Sequence, residues 1–309
     1  MNDKKKEPLF HIVKRDALPW YQSVGIRAIA IVLALIVCAV VTMILTGTNP
    51  IQVFQSIIAG AFGSARKTWI TFQNIAILLL ISLALTPAFK MKFWNIGGEG
   101  QVLIGGLASA ACMICLAEKL PAVLVVVCMI VTSIAAGAFW AFIPAFFKAK
   151  WNTNETLSTL MMNYIATQLV AFFTIVWEVP KGSGKIGIIN QNSNVGWLPQ
   201  AFGSKYLLSI LVAVLITVFM YIYLKYSKHG YEISVVGESE NTAKYVGIKV
   251  EKVIMRTMAL SGAVCGLVGL LLVGGINHTI TTTIAGGQGF TAVMVSWMSK
   301  FNPLTMVFS

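Results

Sequence analysis

Few side chains in this sequence are spaced to do chemistry. Cys112 and Cys115 form a C-x-x-C, a spacing that can hold a metal ion, yet no second Cys or His pair lies nearby to complete a ligand set. The five cysteines, which include Cys38, Cys128 and Cys265, all sit inside apolar runs and read as small packing residues. His11, His229 and His278 are scattered. Gly287-Gln-Gly-Phe-Thr-Ala292 fits a loose dinucleotide fingerprint, but no strand precedes it and no βαβ unit surrounds it. No Walker A loop, Ser-His-Asp set or H-E-x-x-H occurs. Catalysis needs a nucleophile with its base, or clustered ligands. Neither is present, so no enzymatic activity, metal or cofactor is expected.

The remaining candidates are polar groups embedded in apolar sequence. Mean hydropathy is +0.79. Apolar residues make up 57% of the chain and charged ones only 11%, against about 25% charged in ordinary soluble domains. Burial in an aqueous core saturates as domains grow, whereas a hydrocarbon solvent accounts for this composition directly. The net charge of +12 does not indicate a nucleic acid partner, because the cations lie between apolar blocks and not on one basic face. Membrane lipid is the expected surrounding.

A helix crosses the hydrocarbon in roughly 20 apolar residues, and its backbone polar groups must pair internally. Spans are expected near 23–46, 70–89, 98–117, 121–147, 156–178, 205–225 and 253–275. The first block is longer than the 7–15 or so residues of a signal peptide core and lacks an A-x-A exit, so it is expected to be retained. The stretch from Asn277 to Ser309 is broken by Gly286, Gly287, Gly289, Lys300 and Pro303 and reads as a re-entrant or partial crossing. The fold class expected is therefore all-α, a polytopic transmembrane bundle of about seven spans plus that segment.

Lys and Arg collect in cytoplasmic loops. With the N-terminus inside, 16 cations fall inside, among them Lys4, Lys5, Lys6, Lys14, Arg15 and Arg27, and 6 fall outside. This gives a basic cytoplasmic tail at 1–22, a membrane domain at 23–309, an external loop at 179–204 and a cytoplasmic loop at 225–252. Trp197 is expected as an interfacial anchor in the external loop.

Within the cytoplasmic loop, Ser239 can cap a short helix, Glu240 in its first turn suits the helix dipole, and Gly247 suits a left-handed stop. Isolated helices shorter than about 12–15 residues are marginal in water, so this one must be held by its own domain or a partner. The loop, Gly230-Tyr-Glu-Ile-Ser-Val-Val-Gly-Glu-Ser-Glu-Asn-Thr-Ala-Lys-Tyr-Val-Gly-Ile248, resembles the coupling-helix loop of ABC importer permeases of the branched-chain amino acid, ribose and nucleoside superfamily. The matches are Gly230, Tyr231, Ile233, Val236, Gly237, Ala243, Gly247 and Ile248. The departures are Ser234, where Arg is usual, and Glu240, where Pro often sits.

Two further segments are similar to the nucleoside-type members of that superfamily. Phe93-Trp94-Asn95-Ile96-Gly97-Gly98-Glu99-Gly100-Gln101 resembles their W-N-I-G-x-E-G-Q, and Asn154-Glu155-Thr156-Leu157-Ser158-Thr159-Leu160-Met161-Met162-Asn163-Tyr164 resembles their N-E-x-I-x-T-L-M-x-N-Y. Lys300-Phe301-Asn302-Pro303-Leu304 resembles their G-x-x-N-P-L element. Such permeases usually continue through further spans beyond that element, so a C-terminal truncation at Ser309 is an expectation.

An ionisable group near the membrane either meets a partner or lines a pathway, and both readings of Glu99 stand at this point. Asn154 can cap its span, and Asn163 within the bilayer is either glue between helices or a solute contact. The candidate translocation path is Trp94, Asn95, Glu99, Gln101, Asn154, Glu155 and Asn163. The candidate coupling residues are Gly230, Tyr231, Gly237, Glu238, Ser239, Asn241, Ala243 and Gly247.

The resemblance implies a multi-pass permease of the bacterial inner membrane that imports a nucleoside or simple sugar. It also implies three partners: an ABC ATPase subunit, a second permease subunit and an extracytoplasmic solute-binding protein. The alternative is an ion-coupled secondary transporter. Glu99, Glu155 and Glu178, acidic residues at or near spans, all lie close to expected ends, which disfavours ion coupling.

Overall fold

The computed structural model describes residues 20–201 and 203–309. The basic tail expected at 1–22 lies outside the described residues as far as residue 19, and with it Lys4, Lys5, Lys6, Lys14, Arg15 and His11. The chain divides between Lys67 and Thr68 into two units.

In the first unit, α1 (Trp20–Thr46) is an unbroken apolar helix whose described Ile, Leu and Val side chains are exposed, as a lipid-facing surface requires. Gly47 at φ +64° ends it. Helix α2 (Pro50–Phe62) has no counterpart among the expected spans. Asn49 accepts the backbone N–H of Ile51 at 2.9 Å, and Pro50 fills a first-turn position where no donor is needed.

The second unit holds most of α3 (Ala65–Lys90), then α4 (Gly98–Leu116), α5 (Ala122–Trp151), α6 (Glu155–Trp177) and α7 (Leu207–Tyr226). It continues through α8 (Lys228–Glu238), α9 (Glu240–Tyr245), α10 (Val250–Leu270), α11 (Gln288–Met298) and α12 (Pro303–Met306). A wider π-helical turn extends α10 through Asn277. Seven described helices are long and apolar enough to cross a membrane: α1, α3 to α7, and α10 with its extension. Their number and order match the expected spans. Among the described residues the only strand-like feature is a bridge between Ala201 and Ser204.

Helix α10 is the central post, packed on α4 and α5. The contact depends on absent side chains, since a Cβ on Gly105 or Gly137 would overlap the backbone of Gly266. Close backbone approach at small residues is how helices associate where lipid removes the hydrophobic drive. Buried hydroxyls close on their own helices: Thr86 donates to the Ser82 carbonyl, and Thr217 to that of Ala213. Ser296 donates to the Ser82 carbonyl at 2.9 Å and ties α11 to α3.

With 11 residues, α11 is about 16 Å long, too short to span the bilayer. The His278 carbonyl accepts from Ile189 in the 179–204 loop, at one end of the bundle. Ten residues on, the start of α11 lies against the start of α4. The segment therefore turns back into the bundle as a partial crossing.

Candidate functional site

The two polar motifs of α4 and α6 dock on each other. Between α3 and α4 the chain turns with Lys92 at φ +60° and enters α4 through a glycine-rich break. Asn95 is fully buried. Its Oδ1 accepts from the Gly97 backbone at 2.9 Å and from Gln101 Nε2 at 3.2 Å, and its Nδ2 donates to Ser261 Oγ on α10 at 3.2 Å.

Asn163 clasps the break from α6. Its Nδ2 donates to the Ile96 carbonyl at 2.9 Å and its Oδ1 accepts from the Gly100 backbone at 2.8 Å. One turn earlier, Thr159 Oγ1 accepts from the Ile96 backbone at 3.2 Å. Asn163 lies eight residues into α6, about 12 Å along the axis from its start. The break it holds therefore sits well inside the bundle and not at its surface.

Glu99 occupies the first turn of α4 at that depth. Its two carboxylate oxygens accept the backbone N–H groups of Gly287 (2.9 Å) and Gly289 (2.8 Å), so it caps the positive end of α11 from another helix. A Cβ on Gly289 would collide with the Glu99 backbone. The Gly287-x-Gly289 spacing that mimics a dinucleotide loop thus brings two amides onto a carboxylate.

At the far end of α11, Trp297 packs 5.2 Å from Trp94, and Phe89 and Phe301 complete an aromatic cluster. Trp94 remains half-exposed beside it. The other residues expected along a path have protein partners. Asn154 caps α6 by accepting from Leu157 at 3.1 Å, and Glu155 pairs with Lys148 of α5 at 2.9 Å. Gln101 is buried with its Oε1 unpartnered.

The 225–252 segment folds as two helices where the sequence suggested one. Ser227 caps α8, accepting from the Gly230 backbone at 3.0 Å. Ser239 caps α9, accepting from Thr242 at 3.3 Å. Gly247, at φ +82°, closes α9 as the Ile248 N–H returns to the Ala243 carbonyl at 2.9 Å.

Both helices are seated on the bundle. Gly237 lies against the Lys90 carbonyl so closely that a Cβ would overlap it. Ile233, Val236 and Ala243 join Ala88, Ala145 and Val253 in one buried cluster. Arg256 of α10 donates to Glu232 at 2.9 Å. On the outward face Tyr245 is 94% exposed, with Tyr231, Glu238, Asn241 and Val246 also exposed.

At the opposite end, the 179–204 loop is organised by its own polar groups. The exposed Glu178 carboxylate accepts from the Gly182 (2.7 Å) and Gly184 (2.9 Å) backbones, and these two bonds hold its pKa below the usual carboxylate value. Trp197 donates to the Ile189 carbonyl at 3.0 Å and stacks on His278 with centroids 3.8 Å apart. Burial, reinforced by Lys205, pushes the His278 pKa down. A cavity of about 620 Å³ opens here between the loop, the end of α6 and Thr279, Thr281 and Thr282.

Four contributors escaped the sequence reading: Thr159, Ser261, Gly287 and Gly289. The glycines carried a signal in their G-x-G spacing and Thr159 in the motif that includes it, whereas Ser261 had none.

The family model for branched-chain amino acid transport system permease components matches residues 68–309. The guanosine ABC transporter permease protein NupP of Bacillus subtilis is 32% identical over 272 residues, 87% of this chain and 77% of the relative. The nucleoside ABC transporter permease protein NupB of Lactococcus lactis is 26% identical over 93% of this chain and 81% of its own length. The glucose ABC transporter permease protein TsgB13 of Haloferax volcanii is also 26% identical over 93% of this chain, and 77% of its own length is covered. No solved structure matches.

Proposed function

The chain belongs to the family of branched-chain amino acid transport system permease components, and from that premise we propose that it is the membrane-spanning subunit of an ATP-driven importer of a nucleoside or simple sugar. Relatives named for guanosine, nucleosides and glucose support that solute class. The observation that carries the mechanism is the seating of α9. One face is buried against the ends of the spans through Ala243, and the other presents the almost wholly exposed Tyr245 to a partner. A load on that face passes through packed contacts at Gly237 and Val253 to α3 and α10.

The partner is a separate ATPase subunit, as relatives named as ABC transporter permease proteins imply. Nucleotide-driven closure of two ATPase subunits pushes on α9, tilts the spans and switches the side on which the path opens. A second permease subunit, identical or homologous, completes that path. The α8–α9 end is cytoplasmic, in keeping with its cations Lys225, Lys228, Lys244, Lys249 and Lys252. The 179–204 loop then faces outward and receives a solute-binding protein.

A gradient-driven carrier is less well supported. It needs a carboxylate in the spans that is free to exchange an ion. Glu99 is engaged by two backbone amides and Glu155 by Lys148.

The test is reconstitution in proteoliposomes with the ATPase and binding protein. Candidate nucleosides and sugars should stimulate ATP hydrolysis and accumulate inside only when ATP is supplied. Accumulation without the ATPase would overturn the reading.

A further inference from the structure

Lys90 ends α3, Lys225 lies in the last turn of α7 and Lys300 follows α11, and all three line one cavity of about 440 Å³. No acidic side chain is among the described residues lining it. Lysines at the ends of spans are ordinary, since helix C-termini and cytoplasmic faces both favour cations. Neither effect requires three separate elements to place lysines around one acid-free space.

The backbone holds that arrangement. Lys300 and Phe301 are consecutive left-handed residues, at φ +52° and +59°, a conformation uncommon outside glycine. The Phe301 ring, stacked 6.1 Å from Phe89, anchors the turn. Lys225 donates to Tyr221 Oη at 2.9 Å, which holds its head at the cavity wall.

The same α3–α7 seam carries a second feature, farther from α8 and α9. An apolar groove of about 270 Å³ runs between the helices, lined by Ile75, Leu79, Ile210 and Val214. The C-terminal segment joins the two spaces: Leu304 lines the cavity and Val307 the groove. A cationic pocket at the end of the spans, with an apolar channel leading away from it along them, fits an amphiphile with an anionic head.

We propose that this seam is a binding site for an anionic phospholipid, with its phosphate among Lys90, Lys225 and Lys300 and an acyl chain in the groove. Basic pockets between spans recognise lipid head groups in this way, each cation near the surface strengthening attraction about fivefold. A soluble phosphate would satisfy the lysines but would leave the groove without a role.

The test uses the purified chain in detergent and native mass spectrometry, with phosphatidylglycerol and phosphatidylcholine of identical acyl chains in competition. Wild type should retain phosphatidylglycerol preferentially. K300Q should weaken that preference about fivefold and K90Q/K225Q/K300Q should abolish it. K119Q/K185Q, at the opposite end, should leave it intact. Melting curves of each variant report whether the fold survives, and K300Q changes only an exposed side chain. Equal preference in the triple variant and wild type would overturn the site. So would displacement of the lipid by millimolar inorganic phosphate, which would reassign the lysines to a free anion.

Discussion

Glu99 Oε2 lies 2.8 Å from the backbone nitrogen of Gly289, across 190 residues of sequence. With the companion bond to Gly287, it joins the first turn of a full span to the first turn of a partial one. The carboxylate has two acceptor oxygens facing two donors. An amide keeps one acceptor and turns an NH₂ group on the other N–H.

Glu99→Gln should therefore loosen α11 from α4. Charge-assisted bonds of this kind contribute about 1.5–3 kcal/mol each, so a clear drop in melting temperature in detergent is expected. Gly289→Ala should produce a similar loss, because its Cβ meets Glu99 directly. If Glu99→Gln abolished uptake with an unchanged melting curve and Gly289→Ala were silent, the carboxylate would belong to the solute path and not to the clasp.

The apolar blocks made the seven spans legible, since only a helix hides its backbone in lipid and block lengths count the crossings. Helix α2 escaped because 13 residues fall short of a crossing, and α8 because its apolar residues are only Ile233, Val235 and Val236 in a polar context. The cap at Ser239 and stop at Gly247 were legible because their chemistry is local. The depth of Glu99 was not. Sequence placed it near the end of a span, which is correct along the chain. Only the clasp by Asn163, eight residues into α6, puts that helix end inside the bundle.

Replacing Asn163 by Leu, similar in volume, should expose the importance of that clasp. It would leave the Ile96 carbonyl and the Gly100 N–H without their partner in a buried setting, costing about 1–3 kcal/mol for each group left unsatisfied. Thermal unfolding should shift down, and cysteines placed near 96 should gain reactivity toward water-soluble reagents. Asn163→Asp, which keeps the acceptor for Gly100 but loses the donor to Ile96, should be intermediate if it remains charged. An unchanged melting curve in Asn163→Leu would show that the break is held by Asn95 and Thr159 alone.

Gly237→Leu and Ala243→Leu should lift α8 and α9 from the spans, because the first has no space beside the Lys90 carbonyl and the second is fully buried. Overpacking of this kind typically costs about 1–3 kcal/mol. In the assembled complex, ATP hydrolysis should lose its response to solute while basal hydrolysis persists. Tyr245→Ala, changing only an exposed ring, should weaken association with the ATPase and leave the melting curve of the isolated chain unaltered. Normal solute-stimulated uptake in all three variants would remove α9 from the coupling path.

The 179–204 loop should respond to mild acid through His278. Burial and the nearby Lys205 depress its pKa, so near pH 7 it is neutral and stacks on Trp197. The sign follows from linkage: the unfolded loop, with an ordinary value near 6.5, binds a proton more readily than the folded one. The contribution of the stack is therefore fully present above about pH 6.5 and declines as pH falls below it towards the depressed folded value. Hydrogen exchange over 186–198, expressed as protection factors, should show this decline between pH 7 and 5. His278→Asn is the control, since Asn tolerates the left-handed φ of +50° but does not titrate in that range. Its protection should be lower than wild type at pH 7 and nearly flat with pH. A wild-type profile equally flat would mean that the imidazole keeps its stack when charged.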